Sequence, residues 1–147
     1  MHIKTFTTAL ATSLLIAGFA YAADIEIKML NKGAKGVMVF EPDFVKAAPG
    51  DTIKFIAVDK GHDALAIKGM VPDGAELFKG EMSKDFVVTL TVEGIYGVKC
   101  APHYGMGMVA MIVVGNPVNL EPAKLVKHAG KAKANFAALF EQLAAAK

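Results

Sequence analysis

The chain has 147 residues, 16 basic and 14 acidic side chains, a formal net charge of +2 and 54% hydrophobic residues, enough for one compact domain with its own core and too apolar for a disordered chain. Every basic residue is a lysine, and the lack of arginine argues against a nucleic-acid reader, which relies on bidentate guanidinium contacts to guanine and phosphate. The single cysteine, Cys100, excludes an internal disulfide and leaves a thiol that is buried, reactive, paired between chains or bound to metal.

In chain order, the first segment begins Met1-His2-Ile3-Lys4 and then runs almost without charge to Ala23. Its apolar stretch "ALATSLLIAGFA" is short for a membrane span, and Ala20-Tyr21-Ala22 fits the small-x-small pattern of a cleavage site. Residues 1–22 are therefore predicted to be a signal peptide that is removed, leaving residues 23–147 without a membrane segment. A retained anchor helix is the alternative, and an uncleaved, membrane-bound product would reveal it.

From Asp24 to Gly115 the apolar pattern has period two. "DIEIKML" alternates and meets the turn-like "NKGAKG"; "GVMVF" and "DFVKAAPG" follow, closed by Pro49-Gly50-Asp51. "TIKFIAVD" alternates again, "KGHDALAIKG" holds a short apolar run, and "VPDGAELFKGE" reads as a loop with a short helical turn. Then come "DFVVTLTV", a turn at Glu93-Gly94, "IYGVKC", a loop, and "MVAMIVVG". Seven or eight short strands at this spacing predict a mainly β sandwich or barrel and not βαβ units. After Gly115, Asn116-Pro117 breaks the last strand. "EPAKLVKHAG" predicts a helix with Pro122 in its first turn and Gly130 at its end. In "KAKANFAALFEQLAAAK", Phe136, Leu139, Phe140 and Leu143 form one helical stripe, which predicts packing against the sandwich.

The loop between the last two strands, "KCAPHYGMGM", gathers Cys100, His103, Met106 and Met108. Thiolate and imidazole together select borderline or soft transition metals. Zinc prefers a further nitrogen, thiolate or carboxylate to a thioether. Two histidines, one cysteine and a weak axial methionine are the electron-transfer set for copper. Once the leader is removed, His62, His103 and His128 remain, and His62, in "DKGHDA" just past a strand, suits a ligand better than His128 in a predicted helix. Spacing alone leaves the axial residue open between Met106 and Met108. Singly, a buried cysteine is a core residue and a histidine a hydrogen-bonded loop group; their joint appearance favours copper.

With "MLNKGAKGVMVFEP", "APGDTIKFI", "DKGHDALAIKGMVPDGAELFK" and "YGVKCAPHYGMGM" on the page, the sequence resembles the cupredoxins, the type 1 blue copper proteins, and among them the pseudoazurins. The resemblance covers essentially all of residues 23–147, the helical tail included. It implies a single domain, a Greek-key β-sandwich of about eight strands over 23–115 with a two-helix extension over 116–147. It also implies one copper ion, Cu(I)/Cu(II), held by His62, Cys100, His103 and Met108, with Met108 axial. The His103 ring would reach the surface, with Met38, Pro102 and Met106 around it and Lys32, Lys60, Lys79 and Lys99 outside that patch. The function implied is a periplasmic, monomeric one-electron carrier and not an enzyme. Copper nitrite reductase is implied as acceptor and a cytochrome c or similar protein as donor. A copper chaperone or store, which needs an open site, is the alternative; a small copper oxidase or reductase is disfavoured, because only His128 is left for a second centre.

Two residues depart from the family pattern. Asp63 stands where asparagine is usual and Ala101 where threonine is common, so the brace between the two ligand loops is expected to be rewired through backbone groups without losing the site.

Overall fold

The computed structural model describes residues 21–146. The predicted signal peptide thus lies, except for its last two residues, outside the described part. The strands are β1 (Asp24–Gly33), β2 (Gly36–Glu41), β3 (Phe44–Ala47), β4 (Asp51–Ile56), β5 (Leu65–Ala66), β6 (Phe86–Leu90), β7 (Gly94–Lys99) and β8 (Val109–Val114), followed by helices α1 (Leu120–Lys124) and α2 (Ala132–Ala145). They form two four-stranded sheets, ordered β2-β1-β4-β6 and β3-β8-β7-β5. The pairs β1/β4 and β3/β8 are parallel and the others antiparallel, so the chain crosses between sheets instead of meandering. The mainly β sandwich with two C-terminal helices is as expected.

Period two in the sequence becomes two faces. Ile27 and Met29 of β1, Ile53 and Phe55 of β4, and Tyr96 and Val98 of β7 all point into the space between the sheets and are almost fully buried. Strand β8 breaks the alternation: all six of its residues are buried. Ala110, Ile112 and Val114 join the inter-sheet core, whereas Val109, Met111 and Val113 face a second cluster built with Ile95, Phe136, Leu139 and Leu143. A strand covered on both faces reads as a continuous apolar run, which accounts for "MVAMIVVG". Met111 is a core residue, as expected.

Helix α2 has no side-chain cap at its N-terminus. Its stability therefore comes from its packed stripe, with each of Phe136, Leu139 and Leu143 contributing about 2 kcal/mol by burial. One expectation holds in a narrower form and two need correction. The turn-like "NKGAKG" does hold a turn, at Ala34-Lys35, but a tight one, because β1 extends to Gly33 and pairs Gly33 with Gly36. "VPDGAELFKGE" holds no helical turn: it has a β-turn in which the Ala75 N–H donates to the Pro72 carbonyl at 3.1 Å with Gly74 at φ 82°, and an isolated bridge of Lys79 to Leu65. The first helix stops at Lys124 and does not reach Gly130. Beyond it the chain is drawn inward as Val126 packs on the second core cluster and His128 bonds Tyr104.

Candidate metal centre

Three donor atoms meet at one end of the sandwich. His62 lies in the β4–β5 loop, Cys100 directly follows β7, and His103 lies in the β7–β8 loop. His62 Nδ1 is 3.1 Å from His103 Nδ1. Cys100 Sγ lies 3.7 Å from His62 Nδ1 and 3.5 Å from His103 Nδ1. These three are the one His/Cys/Asp/Glu cluster of metal-binding geometry among the described residues. His62 and Cys100 are fully buried, and His103 is partly exposed.

The loops are fixed by hydrogen bonds that the sequence did not advertise. In the β1/β2 ladder, Leu30 pairs with Val39 and Lys32 with Val37, and the register skips Asn31 and Met38. Met38 there has a left-handed backbone, φ 53°, uncommon for a residue with a β-carbon. Freed from the ladder, the Asn31 N–H donates to Asp59 Oδ2 at 2.7 Å, and its Oδ1 accepts the His62 Nε2–H at 2.9 Å. With Nε2–H so committed, neutral His62 carries its lone pair on Nδ1, aimed at Cys100 and His103; this use of the second ring nitrogen is the usual device for orienting a metal-binding histidine. Ser83 adds a second hold: its N–H donates to the His62 carbonyl at 2.8 Å and its Oγ accepts the Gly61 N–H at 2.8 Å. Asn31 and Ser83 were both missed by sequence reasoning. Asn31 lay inside the segment taken for a turn, and nothing local marks Ser83.

Asp63 is buried, and its Oδ1 accepts the Ala101 N–H at 2.7 Å. The brace between the His62 and Cys100 loops is thus present and runs through a backbone donor, with no hydroxyl needed at position 101. Burial lowers the His62 pKa, with the neighbouring His103 adding to the effect and Asp59 and Asp63 opposing it. Burial raises the Cys100 pKa, partly offset by the backbone N–H groups of Asp63 and His103 and reinforced by the Asp63 charge.

Met108 is fully buried and Met106 is 47% exposed. Met108 closes the loop: its N–H donates to the His103 carbonyl at 3.2 Å and its carbonyl accepts the Cys100 N–H at 3.1 Å. Pro102 is exposed beside His103, and Met38 and Met106 line one groove of about 790 Å³ together with Gly105 and Gly107. Lys32 adjoins Asn31 and Lys60 lies two residues before His62, while Lys79 and Lys99 flank Leu65 through a bridge on one side and the β5/β7 ladder on the other. None of these four lysines is in an ion pair among the described residues. His128 is not part of the cluster; its Nδ1 accepts the Tyr104 hydroxyl at 2.6 Å.

The donors fit a metal. Imidazole nitrogen and thiolate sulfur bind at about 2.0–2.3 Å, so separations of 3.1, 3.5 and 3.7 Å are those of three ligands about a single ion. No carboxylate joins the set, and the buried donor left nearby on the loop is the thioether of Met108, which suits copper better than zinc.

Comparison with known proteins agrees. The family model for copper binding proteins of the plastocyanin/azurin family matches residues 27–115. The chain is 46% identical over 144 residues to the pseudoazurin of Paracoccus pantotrophus, covering 97% of this chain and 99% of that one. It is 48% identical over 140 residues to the pseudoazurin of Methylorubrum extorquens, covering 95% and 92%. The crystal structure of pseudoazurin from Methylobacterium extorquens AM1 superposes with a TM-score of 0.79 at 50% identity, covering 82% of this chain and 98% of that one. Pseudoazurin from Hyphomicrobium denitrificans gives 0.77 at 43% identity, covering 81% and 97%.

Proposed function

The chain belongs to the copper-binding plastocyanin/azurin family, and from that premise we propose which residues hold its metal, where it docks and what it serves. It is a blue copper electron carrier and not an enzyme, and its cofactor is one copper ion. His62, Cys100 and His103 are the three strong ligands and Met108 the weak axial one. The observation that carries this reading is the convergence of the three donor atoms within 3.7 Å of one another, with only His103 reaching solvent. Copper bound there supplies a one-electron Cu(II)/Cu(I) couple. The residues do the rest. Asn31, Ser83 and Asp63 hold the donors in place in either oxidation state, burial of His62 and Cys100 excludes water, and the His103 edge offers the way out for the electron.

Docking takes place on the apolar surface of Pro102 and Met106, with Met38 behind it. Lys32, Lys60, Lys79 and Lys99 steer an acidic partner. The contact is small and short-lived, since a carrier must leave again. The acceptor is a copper nitrite reductase and the donor a cytochrome c or similar protein. Residues 23–147 act as one monomeric domain in the periplasm after removal of residues 1–22. Among the described residues no helix is long and apolar enough to cross a membrane. A copper chaperone would need an open site, which two fully buried donors do not offer.

Loading the protein with Cu(II) tests the ligand assignment. The wild type turns blue and is reversibly reduced. Met108→Gln shifts the reduction potential strongly and Met106→Gln leaves it nearly unchanged. A colourless wild type would overturn the site, and a shift confined to Met106→Gln would reassign the axial ligand.

A further inference from the structure

The turn that carries the metal loop from His103 to Met108 closes on itself through backbone bonds alone, Met106 and Met108 N–H to the His103 carbonyl and Gly107 N–H to that of Tyr104. Its single 3₁₀ turn, Tyr104–Met106, buries no residue. Three further hydrogen bonds tie it to the C-terminal segment. The Tyr104 hydroxyl donates to His128 Nδ1 at 2.6 Å, the Lys131 N–H donates to the Gly105 carbonyl at 3.0 Å, and the Asn135 Nδ2–H donates to the Gly107 carbonyl at 2.8 Å. Two glycines let the segments approach this closely. A β-carbon on Gly107 would collide with the Asn135 amide, and one on Gly130 with the Gly105 carbonyl; both glycines also hold left-handed φ angles, 95° and 54°. All the C-terminal partners lie beyond residue 115, where the match to the family model ends.

We propose that Asn135 is a positioning residue for the metal loop. Its bond to Gly107, backed by those of His128 and Lys131, fixes the backbone from which the Met108 thioether reaches the ion, so helix α2 sets the axial contact and with it the reduction potential. The bond acts on the turn and not on the helix, because α2 is already held by Phe136, Leu139 and Leu143, whereas Gly105 and Met106 are exposed. Met108 is the residue immediately after the clamped Gly107. An axial thioether is a weak, long ligand and a recognised determinant of potential. Freedom in the turn therefore passes directly to the distance that tunes it.

The inference rests on Met108 as the axial ligand, and the test separates the two. Amide hydrogen exchange is measured on the full chain, Cu(I)-loaded and copper-free, for wild type, Asn135→Ala, Asn135→Gln and Lys133→Ala. The reduction potential and visible spectrum of each copper-loaded form are measured alongside. Asn135→Ala should speed exchange at Gly107 and Met108 about fivefold in both forms, the fold-change that goes with one lost neutral hydrogen bond. It should leave Val98 and Ile112 unchanged and shift the potential and the spectrum. Lys133→Ala, an exposed residue on the same helix with no hydrogen bond to the loop, should change nothing, and Asn135→Gln should restore part of the protection. Unchanged exchange at Gly107 and Met108 overturns the positioning role, as does equal acceleration throughout β7 and β8. Faster exchange with an unaltered potential overturns the link to the axial contact while leaving copper binding intact.

Discussion

Asp63 has one structural duty and two electrostatic ones. Its carboxylate accepts the Ala101 N–H and so ties the two ligand loops, and its charge raises the Cys100 pKa while opposing the fall at His62. A carboxylate beside the ion stabilises the more positive oxidation state, Cu(II), and so lowers the potential. Asp63→Asn keeps an acceptor for Ala101 and removes the charge. The potential should rise by tens of millivolts, since one electron converts about 1.4 kcal/mol into about 59 mV and a partly screened neighbouring charge is worth about that. Protein-film voltammetry of the two forms measures it, and an unchanged potential would mean that the site is tuned elsewhere. At this scale the sequence was readable where chemistry is contiguous: Cys100, His103 and Met108 share one loop, and their residue types alone suggest a soft metal. It was silent on Asn31, which meets His62 across 31 positions, and on Ser83, because such roles depend on which loops the sheets bring together.

At the scale of elements, apolar rhythm forecast β8 and α2 well, since both owe their existence to buried faces. It forecast α1 and β5 poorly. The helix stops at Lys124 and the strand keeps two residues, Leu65–Ala66, because tertiary ties override local pattern in both places. One of those ties makes a pH-dependent element. His128 stacks on Phe136 with ring centroids 4.2 Å apart and has its Nε2 buried without a partner. Burial lowers its pKa from the ordinary 6.5. The unfolded chain therefore binds the proton at a higher pH than the folded one. The contribution of neutral His128 is complete above about pH 6.5 and is lost as the pH falls from there through the lower folded value. His128→Asn leaves an acceptor for the Tyr104 hydroxyl but nothing to protonate. Urea unfolding at pH 7.5 and pH 5 should show a smaller acid-side loss in the variant than in the wild type. Equal losses would place the acid sensitivity at His62 instead, whose pKa is also lowered by burial.

At the scale of the whole molecule, a net charge of only +2 does not say where the charges stand. Lys32, Lys60, Lys79 and Lys99 come from four separate segments, so no run of charge in the sequence marks them, and only resemblance suggested that they act together. The fold ties each segment to the ligand loops: one through the Asn31–His62 bond, one through the His62 loop itself, and two through the strands beside Leu65. Lys99 is further held over the ring of Tyr104, the residue that follows His103, 5.1 Å from its centroid. If the four steer docking as proposed, their charges would act over about a Debye length, roughly 10 Å at 0.1 M salt, and would raise the rate of encounter with an acidic partner more than the strength of the final contact. The second-order rate of electron transfer to a copper nitrite reductase should fall steeply as salt rises. Replacing all four lysines by glutamine should lower the low-salt rate about tenfold, flatten the salt dependence and leave the blue spectrum unchanged, while any single replacement should have a small effect. Stopped-flow reduction of the acceptor between 10 mM and 300 mM salt reads both slopes. A wild-type rate independent of salt would remove steering from the account, and the apolar surface of Pro102 and Met106 would then have to select the partner by shape alone.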